Sequence, residues 1–178
     1  MDNITIRPAL ETDSEHIITL VNDAYRGASG QLGWTHEAAL LGGTRLKPKH
    51  ISESLQQADK LILVVEGTES ILACIQLENK VDHAFLGMFA VAPESQAQGI
   101  GSQLLEHAEQ YCFKNWNIHH LNMLVVSGRD ELVAYYQRRG YQSKGTYAEF
   151  PVHLDVGTPL VDNLMIELLE KRYAFKPE

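Results

Sequence analysis

The hydrophobic pattern of this sequence changes its period at Pro93. Before that proline, short apolar runs lie at 61–65, 71–77 and 84–91, which is typical of an antiparallel hairpin followed by a central strand. After it, apolar residues recur at helical spacing and predict a helix with one buried stripe: Ile100, Leu104, Leu105, Ala108, Tyr111 and Cys112. The sequence therefore predicts a helix that packs against a sheet.

Similar patterns extend toward both ends of the chain. Ile4 and Ile6 predict a short opening strand that ends at Pro8. Thr12 and Glu15 have the spacing of a capping box, and the helix they begin would bury Ile17, Leu20, Val21 and Ala24. Downstream, 121–126 indicates a strand and 131–139 a helix that stops at Gly140.

Two segments are harder to interpret. The glycine-rich stretch 27–49 predicts a loop with short helical pieces, and a loop of that length often borders a binding site. In 161–173, composition favours a helix whereas Leu164, Ile166 and Leu168 alternate as in a strand, and the local pattern leans toward helix. No repeat or linker interrupts the sequence, so we expect one domain over residues 1–178.

Composition narrows the class of protein. A net charge of −8 disfavours nonspecific nucleic-acid binding, and it favours a cationic substrate only slightly because such a charge also serves solubility. No apolar run approaches the roughly 20 residues of a membrane span, and no secretory signal begins the chain, so we expect a cytoplasmic protein. Cys74 and Cys112 lie in apolar segments and predict buried free thiols. The adjacent His119 and His120 lack further ligands, so we expect no metal site.

The segment 89–102 reads as a strand, a turn, two glycines and the start of a helix. Backbone amides at a helix N-terminus have no intrahelical partner and lie at the positive end of the helix dipole. Gly99 and Gly101 would let an anion approach those amides closely. This arrangement can hold a phosphate group, although a glycine before a helix more often only satisfies a turn.

Two separated motifs resemble those of the GNAT acetyltransferase family. Gln96, Gly99 and Gly101 match its coenzyme-A loop, which has Gln or Arg, two residues, Gly, one residue, and Gly or Ala. Tyr136, Gly140 and the aromatic Tyr141 match the motif of the helix after the fifth strand. The resemblance implies an α/β (α+β) GNAT fold with a mixed, mostly antiparallel sheet of six to seven strands flanked by helices. In that fold the fourth and fifth strands splay apart, and 161–173 becomes a strand.

The resemblance also implies a site for acetyl-coenzyme A (acetyl-CoA) as co-substrate. It assigns to cofactor binding the residues Met88, Phe89, Ala90, Val91, Gln96, Ala97, Gln98, Gly99, Ile100, Gly101 and Ser102. Arg129 stands where the family often has an Asn, so it either meets a cofactor phosphate or is exposed beside Asp130 and Glu131. Backbone amides near Phe89 could polarise the thioester carbonyl.

Acetyl transfer to an amine needs an acid that protonates the departing thiolate. A phenol with a pKa of about 10 stays protonated at neutral pH, so Tyr136 is the predicted general acid, although it could instead be a core aromatic. The sequence does not identify the general base, because Glu37, Glu78 and His83 are more simply interpreted as solvated charges. In the loop, Trp34 and Glu37 are candidates for binding a cationic amine, and a purely structural loop is an equal alternative.

Three functions therefore compete. The first is an acetyltransferase that acts on a primary amine of an unidentified small molecule or peptide by direct attack. The second is a noncatalytic module that binds or senses acyl-CoA. The third, a dinucleotide enzyme, would need its glycine loop after the first strand rather than past mid-chain. The sequence does not indicate the oligomeric state, although a homodimer formed through the C-terminal strand fits this architecture.

Overall fold

The computed structural model describes residues 4–27 and 36–174. Trp34, one of the two predicted acceptor-binding residues, lies outside the described residues. The helices are Ser14–Arg26 (α1), Pro48–Gln56 (α2), Ile100–Trp116 (α3) and Asp130–Gln137 (α4). The strands are Thr5–Pro8 (β1), Leu41–Gly42 (β2), Lys60–Glu66 (β3), Ile71–Asn79 (β4), Ala84–Val91 (β5), His120–Val126 (β6), Gln142–Glu149 (β7), Thr158–Pro159 (β8) and Met165–Arg172 (β9).

Seven of the described strands form one sheet, in the order β1-β3-β4-β5-β6-β9-β7. All neighbours run antiparallel except β5 and β6, which are parallel. That parallel pair is joined only at Ala84 with Leu121 and at Phe85 with Asn122, after which the strands diverge. The predicted mixed sheet and its splay between 84–91 and 121–126 are confirmed.

A bulge near the end of β5 accompanies the divergence. Cys74 pairs with Ala90 and Gln76 pairs with Gly87, so two residues of β5, Met88 and Phe89, oppose one residue of β4. Met88 has a φ of 48°, which is uncommon for a residue with a side chain. A bulge of this kind bends its strand and reorients the following side chains.

Both faces of the sheet are covered, because alternate residues of the central strands point to opposite sides. On β5, Phe89 belongs to the hydrophobic cluster under α3 and α4, whereas Met88 and Ala90 belong to the cluster under α1 and α2. Double burial explains why 61–65 and 84–91 are continuous apolar runs. Cys74 and Cys112 are buried free thiols, as predicted. None of the described helices combines the length and the apolar character that crossing a bilayer requires.

The first helix begins later than the sequence predicts. A 3₁₀ turn occupies Glu11–Asp13, and α1 starts at Ser14, so the capping box of Thr12 and Glu15 is wrong. The Asp13 carboxylate instead accepts hydrogen bonds from the Leu10 amide and from Arg7, at 2.7 Å each. These bonds lower the pKa of Asp13, because they stabilise its charged form.

The C-terminal segment is a strand, as the family resemblance implies and against its local pattern. β9 pairs with β6 on one side and β7 on the other, and this pairing outweighs the helix propensity of its residues. A sheet cannot extend into a second subunit through β9, because both of its edges are already paired. The sequence predicted neither β7 nor the full length of α2.

A buried ion pair joins α3 to the last part of the sheet. The Glu109 carboxylate accepts a hydrogen bond from the Tyr141 hydroxyl at 2.9 Å and another from the Lys171 ammonium at 2.6 Å. Glu109 is only 4% exposed, and burial raises its pKa while the Lys171 hydrogen bond opposes that rise. The carboxylate is tolerated there because Lys171 neutralises it.

Replacing Lys171 with Met should lower the free energy of unfolding by about 2 kcal/mol at neutral pH, measured by urea denaturation. The raised pKa of Glu109 should rise further without Lys171. A protonated carboxyl needs no counter-ion, so the loss should be largest above the folded-state pKa and should shrink as the pH falls through it. Lys144→Met, at an exposed position of β7, is the matched control and should change stability little. A loss independent of pH would contradict the assignment.

Candidate active site

The predicted phosphate loop forms one wall of a cavity of about 730 Å³. Ala97 and Gly99 both have left-handed backbones, with φ of 61° and 81°, and α3 begins immediately after them. No side chain caps this helix, so its first amides remain available to a ligand. The cavity is lined by Val91, Ser95, Gln96, Ala97, Gly99, Ile100, Gly101, Ser102, Glu131, Ala134, Tyr135, Arg138 and Arg139.

Gly101 and Gln96 hold this loop against the end of β5. A Cβ atom at Gly101 would lie 3.2 Å from a methyl carbon of Val91, which is closer than most packed carbons. The side-chain amide of Gln96 donates a hydrogen bond from Nε2 to the Val91 carbonyl at 3.1 Å. The family motif therefore has a packing role here: it fixes the start of α3 at the edge of the splayed strand.

Two arginines of this cavity were missed by the sequence analysis. The Arg139 guanidinium lies 3.4 Å from the centroid of the Tyr135 ring and donates a hydrogen bond to the Ser102 hydroxyl at 2.5 Å. Arg138 follows α4 and also lines the cavity. The two arginines lie within the second motif, in the sequence Tyr136-Gln137-Arg138-Arg139, but the motif itself specifies only the tyrosine, the glycine and the following aromatic residue.

A second cavity, of about 610 Å³, lies along the diverging strands β5 and β6. Residues of β5 and β6 line it together with residues of α1, α4 and the connection between β7 and β9. Sequence neighbours line the two cavities, since Tyr135 lines the first and Tyr136 the second. Likewise Val91 lines the first and Met88 and Phe89 the second. Of the residues predicted to bind the cofactor, Ala90 and Gln98 line neither.

Tyr136 is buried beside the bulge, with 5% of its surface exposed and its ring centroid 6.5 Å from that of Phe89. Burial raises its pKa well above the usual range, nearby Tyr25 adds to the rise, and the charges of Arg129 and Arg139 oppose it. A phenol in this position holds its proton at neutral pH. It can therefore serve as a proton donor but not as a base.

Tyr25 is a further residue that the sequence analysis did not single out. Its hydroxyl donates a hydrogen bond to the Phe89 carbonyl at 3.0 Å, and it lines the second cavity with Tyr136. Burial raises the pKa of Tyr25 to about 12, so this hydroxyl also remains protonated. Tyr25 stands at the end of α1, four residues after Val21, and the helical pattern alone suggested no more than packing.

Glu37 and Arg129 are partners in a buried ion cluster, 92 residues apart in the chain. The Glu37 carboxylate lies 2.8 Å from Nη2 of Arg26 and 3.4 Å from Nη1 of Arg129, and all three side chains are at most 8% exposed. The interpretation of Glu37 as a solvated charge and of Arg129 as exposed is wrong, because each neutralises the other. Arg129 lines the second cavity and not the first, so its predicted phosphate contact has no support from its position.

The other two charged candidates retain contact with solvent. Glu78 lines the far part of the second cavity and lies 2.6 Å from the ammonium of Lys80. His83 lies 2.6 Å from the exposed carboxylate of Asp82. Neither approaches Tyr136 through any contact among the described residues.

The sequence comparisons agree with the geometry. The model of the acetyltransferase (GNAT) family matches residues 20–141, a span that includes both of the motifs described above. No curated protein sequence matches the chain significantly.

Solved structures share the fold at low sequence identity. The ribosomal-protein-S18-alanine N-acetyltransferase from Escherichia coli is 18% identical over 99% of this chain and 97% of its own, with a TM-score of 0.73. A GNAT acetyltransferase from Elizabethkingia anophelis with acetyl-CoA bound is 20% identical over 97% of this chain and 100% of its own, with a TM-score of 0.65. The spermidine/spermine N-acetyltransferase SpeG from Vibrio cholerae is 16% identical over 95% and 92%, with a TM-score of 0.66. Since the family model covers more than half of the sequence, this chain belongs to the GNAT family and is an N-acetyltransferase that uses acetyl-CoA.

Proposed function

We propose that this enzyme transfers the acetyl group of acetyl-CoA to a primary amine of a small molecule or peptide by direct attack, with Tyr136 as the general acid. The observation that carries the proposal is the position of Tyr136. It is a buried phenol with a raised pKa that lines the second cavity, and its neighbour Tyr135 lines the first cavity, which we assign to the cofactor. That arrangement suits two ligands that meet at β5.

The first cavity fits the cofactor. Free amides at the start of α3 suit a pyrophosphate, and the left-handed Gly99 lets the ligand approach the backbone. Arg138 and Arg139, which follow α4, add positive charge to the lining, and Arg139 is held in place by Tyr135 and Ser102. The diverging edge of β5 leaves backbone groups available to the extended arm of the cofactor, which supplies the acetyl thioester when it is bound.

The second cavity supplies the groups that act at the acetyl end. The bulge at Met88 and Phe89 reorients the backbone of β5, and the Tyr25 hydroxyl fixes that segment through the Phe89 carbonyl. Tyr136 holds the proton that a departing thiolate requires. Direct attack is favoured because, among the described residues, both cysteines are buried thiols whose pKa is raised to about 12, so neither is suited to carry the acetyl group.

Ligand-dependent stability tests the cofactor site. At 100 times its dissociation constant, acetyl-CoA or CoA should stabilise the protein by about 2.7 kcal/mol, whereas NAD should not. Gly99→Val should raise the dissociation constant of acetyl-CoA by about tenfold or more, because the new side chain would enter the ligand's approach. Gly145→Val is the matched control, since Gly145 also has a left-handed backbone, φ 69°, but lies on β7. Equal loss of affinity in both variants would refute the site.

Tyr136→Phe tests the general acid. We expect turnover, followed by thiol release, to fall on the order of 100-fold or more while the dissociation constant of acetyl-CoA stays the same. Tyr147→Phe, at an exposed tyrosine of β7, should turn over normally. Unchanged turnover in Tyr136→Phe would remove Tyr136 as the acid. Cofactor binding by the unaltered protein with no turnover on any amine would favour the noncatalytic binding module.

A further inference from the structure

The second cavity has an excess of positive charge in an acidic protein. The whole chain carries a net charge of −8. Yet the cationic side chains that line this cavity are Arg45, Lys60, Lys80 and Arg129, and its carboxylates are Glu37, Glu53 and Glu78. The local balance is therefore opposite in sign to the overall charge.

Glu37 is not available to bind a cationic amine. Its carboxylate is shared by two guanidinium groups, those of Arg26 and Arg129. Arg26 is also tied to the Gly42, Gly43 and Val156 carbonyls, at 3.1, 2.8 and 3.0 Å, so it cannot turn away. This buried cluster therefore presents an acidic residue whose charge is already more than neutralised, and the predicted acidic lining for an amine is absent at this position.

The same ratio recurs at the other end of the cavity. The Glu78 carboxylate lies 2.6 Å from the Lys80 ammonium and 4.0 Å from that of Lys60. Two cations again face one carboxylate. Neither cluster offers a free negative charge to a polyamine or another multiply charged cation.

Arg45 lines the second cavity, and the described part of the chain supplies no counter-ion for its guanidinium. Its backbone amide is held by the Asn22 side chain at 2.8 Å, and its guanidinium lies 5.4 Å from the centroid of the Tyr25 ring. Within residues 4–27 and 36–174, no carboxylate lies within 4.0 Å of that guanidinium. Tyr25 in turn hydrogen-bonds to the bulge at Phe89, so Arg45 is placed close to the acetyl end of the site.

We propose that the acceptor is an amine that also carries a compact anionic group, as an amino acid does, and that Arg45 binds this anion beside the Arg129–Glu37 pair. A guanidinium recognises a carboxylate or phosphate through paired hydrogen bonds, and binding would supply the missing counter-ion of Arg45. The amine would then be held near Tyr136, which lines the same cavity. This inference rests on the proposed acetyltransferase activity.

The reaction itself is unchanged by the anion. A bond forms between the amine nitrogen and the acetyl carbon, and the bond from that carbon to the thioester sulfur breaks. Of the two protons that the ammonium loses overall, the thiol gains the equivalent of one through Tyr136 and solvent receives the other. The anion contributes orientation only.

The test compares acceptors that differ only in the anion. Each of the common amino acids would be assayed beside its amide and its decarboxylated amine, with glucosamine beside glucosamine 6-phosphate and with spermidine. We expect the anionic member of at least one series to have the higher kcat/KM, on the order of 10- to 100-fold over its neutral partner. The series in which this occurs distinguishes a carboxylate from a phosphate.

Arg45→Gln should collapse that ratio to near one, whereas Arg45→Lys should retain part of it. Arg172→Gln, at an exposed arginine of β9, is the matched control and should keep the full ratio. Stabilisation by acetyl-CoA shows that each variant is folded and that the cofactor site is intact. If a variant does not fold, the ratio measured on the unaltered enzyme still decides.

Each result has a definite meaning. Turnover of neutral amines or spermidine without any preference for anionic acceptors would overturn this inference and leave the acetyltransferase proposal standing. A preference for anionic acceptors that survives in Arg45→Gln would overturn the role of Arg45. Cofactor binding with no turnover on any amine would overturn the proposed activity and this inference with it.

Discussion

The separation of two parallel strands organises this molecule. β5 and β6 pair at only two positions and then diverge, although leaving backbone groups of a central strand without partners is costly unless something else satisfies them. The divergence turns the middle of a sheet, which is normally its most closed region, into a cleft. Both cavities lie along this cleft, and the residues that line them come from segments on either side of it.

The end of β5 serves several purposes at once. Its bulge, with Met88 in a left-handed conformation, bends the strand away from β6 and is supported by the Tyr25 hydroxyl. Immediately downstream, the Val91 carbonyl accepts a hydrogen bond from the Gln96 side chain, and the Val91 side chain packs against Gly101. These contacts position the start of α3. Strand bending and helix placement are thus coupled through a few residues, so the first amides of α3 have a fixed position relative to the bulge.

Electrostatics distinguishes the two cavities. The first is lined by the start of α3, whose backbone amides carry partial charges that need no counter-ion, and by Arg138 and Arg139. The second contains full charges, which are buried in the Glu37 cluster and partly exposed around Glu78, and each of these two carboxylates faces two cations. Burying guanidinium groups carries a large desolvation cost, which the Glu37 carboxylate offsets for Arg26 and Arg129. An anionic ligand would supply a counter-ion to the Arg45 guanidinium.

Sequence alone determined the features that depend on neighbouring residues. The strand at 84–91, the helix that starts between the two glycines and the left-handed turn at Gly140 follow from hydrophobic period and from backbone conformations that only glycine adopts easily. The fourth helix itself ends at Gln137, earlier than the predicted stop. Two short motifs were specific enough to indicate the family, and with it the splay and the strand at 165–172. From these came the phosphate loop and Tyr136.

Only the tertiary structure decided which charges meet. Glu37 and Arg129 lie 92 residues apart, and no local pattern shows that they share one buried cluster with Arg26. Nor does it show that no carboxylate of the described residues lies within 4.0 Å of the Arg45 guanidinium. The same holds for β9, whose residues favour helix until β6 and β7 supply hydrogen-bond partners on both edges. Local sequence sets propensity and period, whereas ion pairing and sheet pairing depend on distances in space that a one-dimensional pattern does not contain.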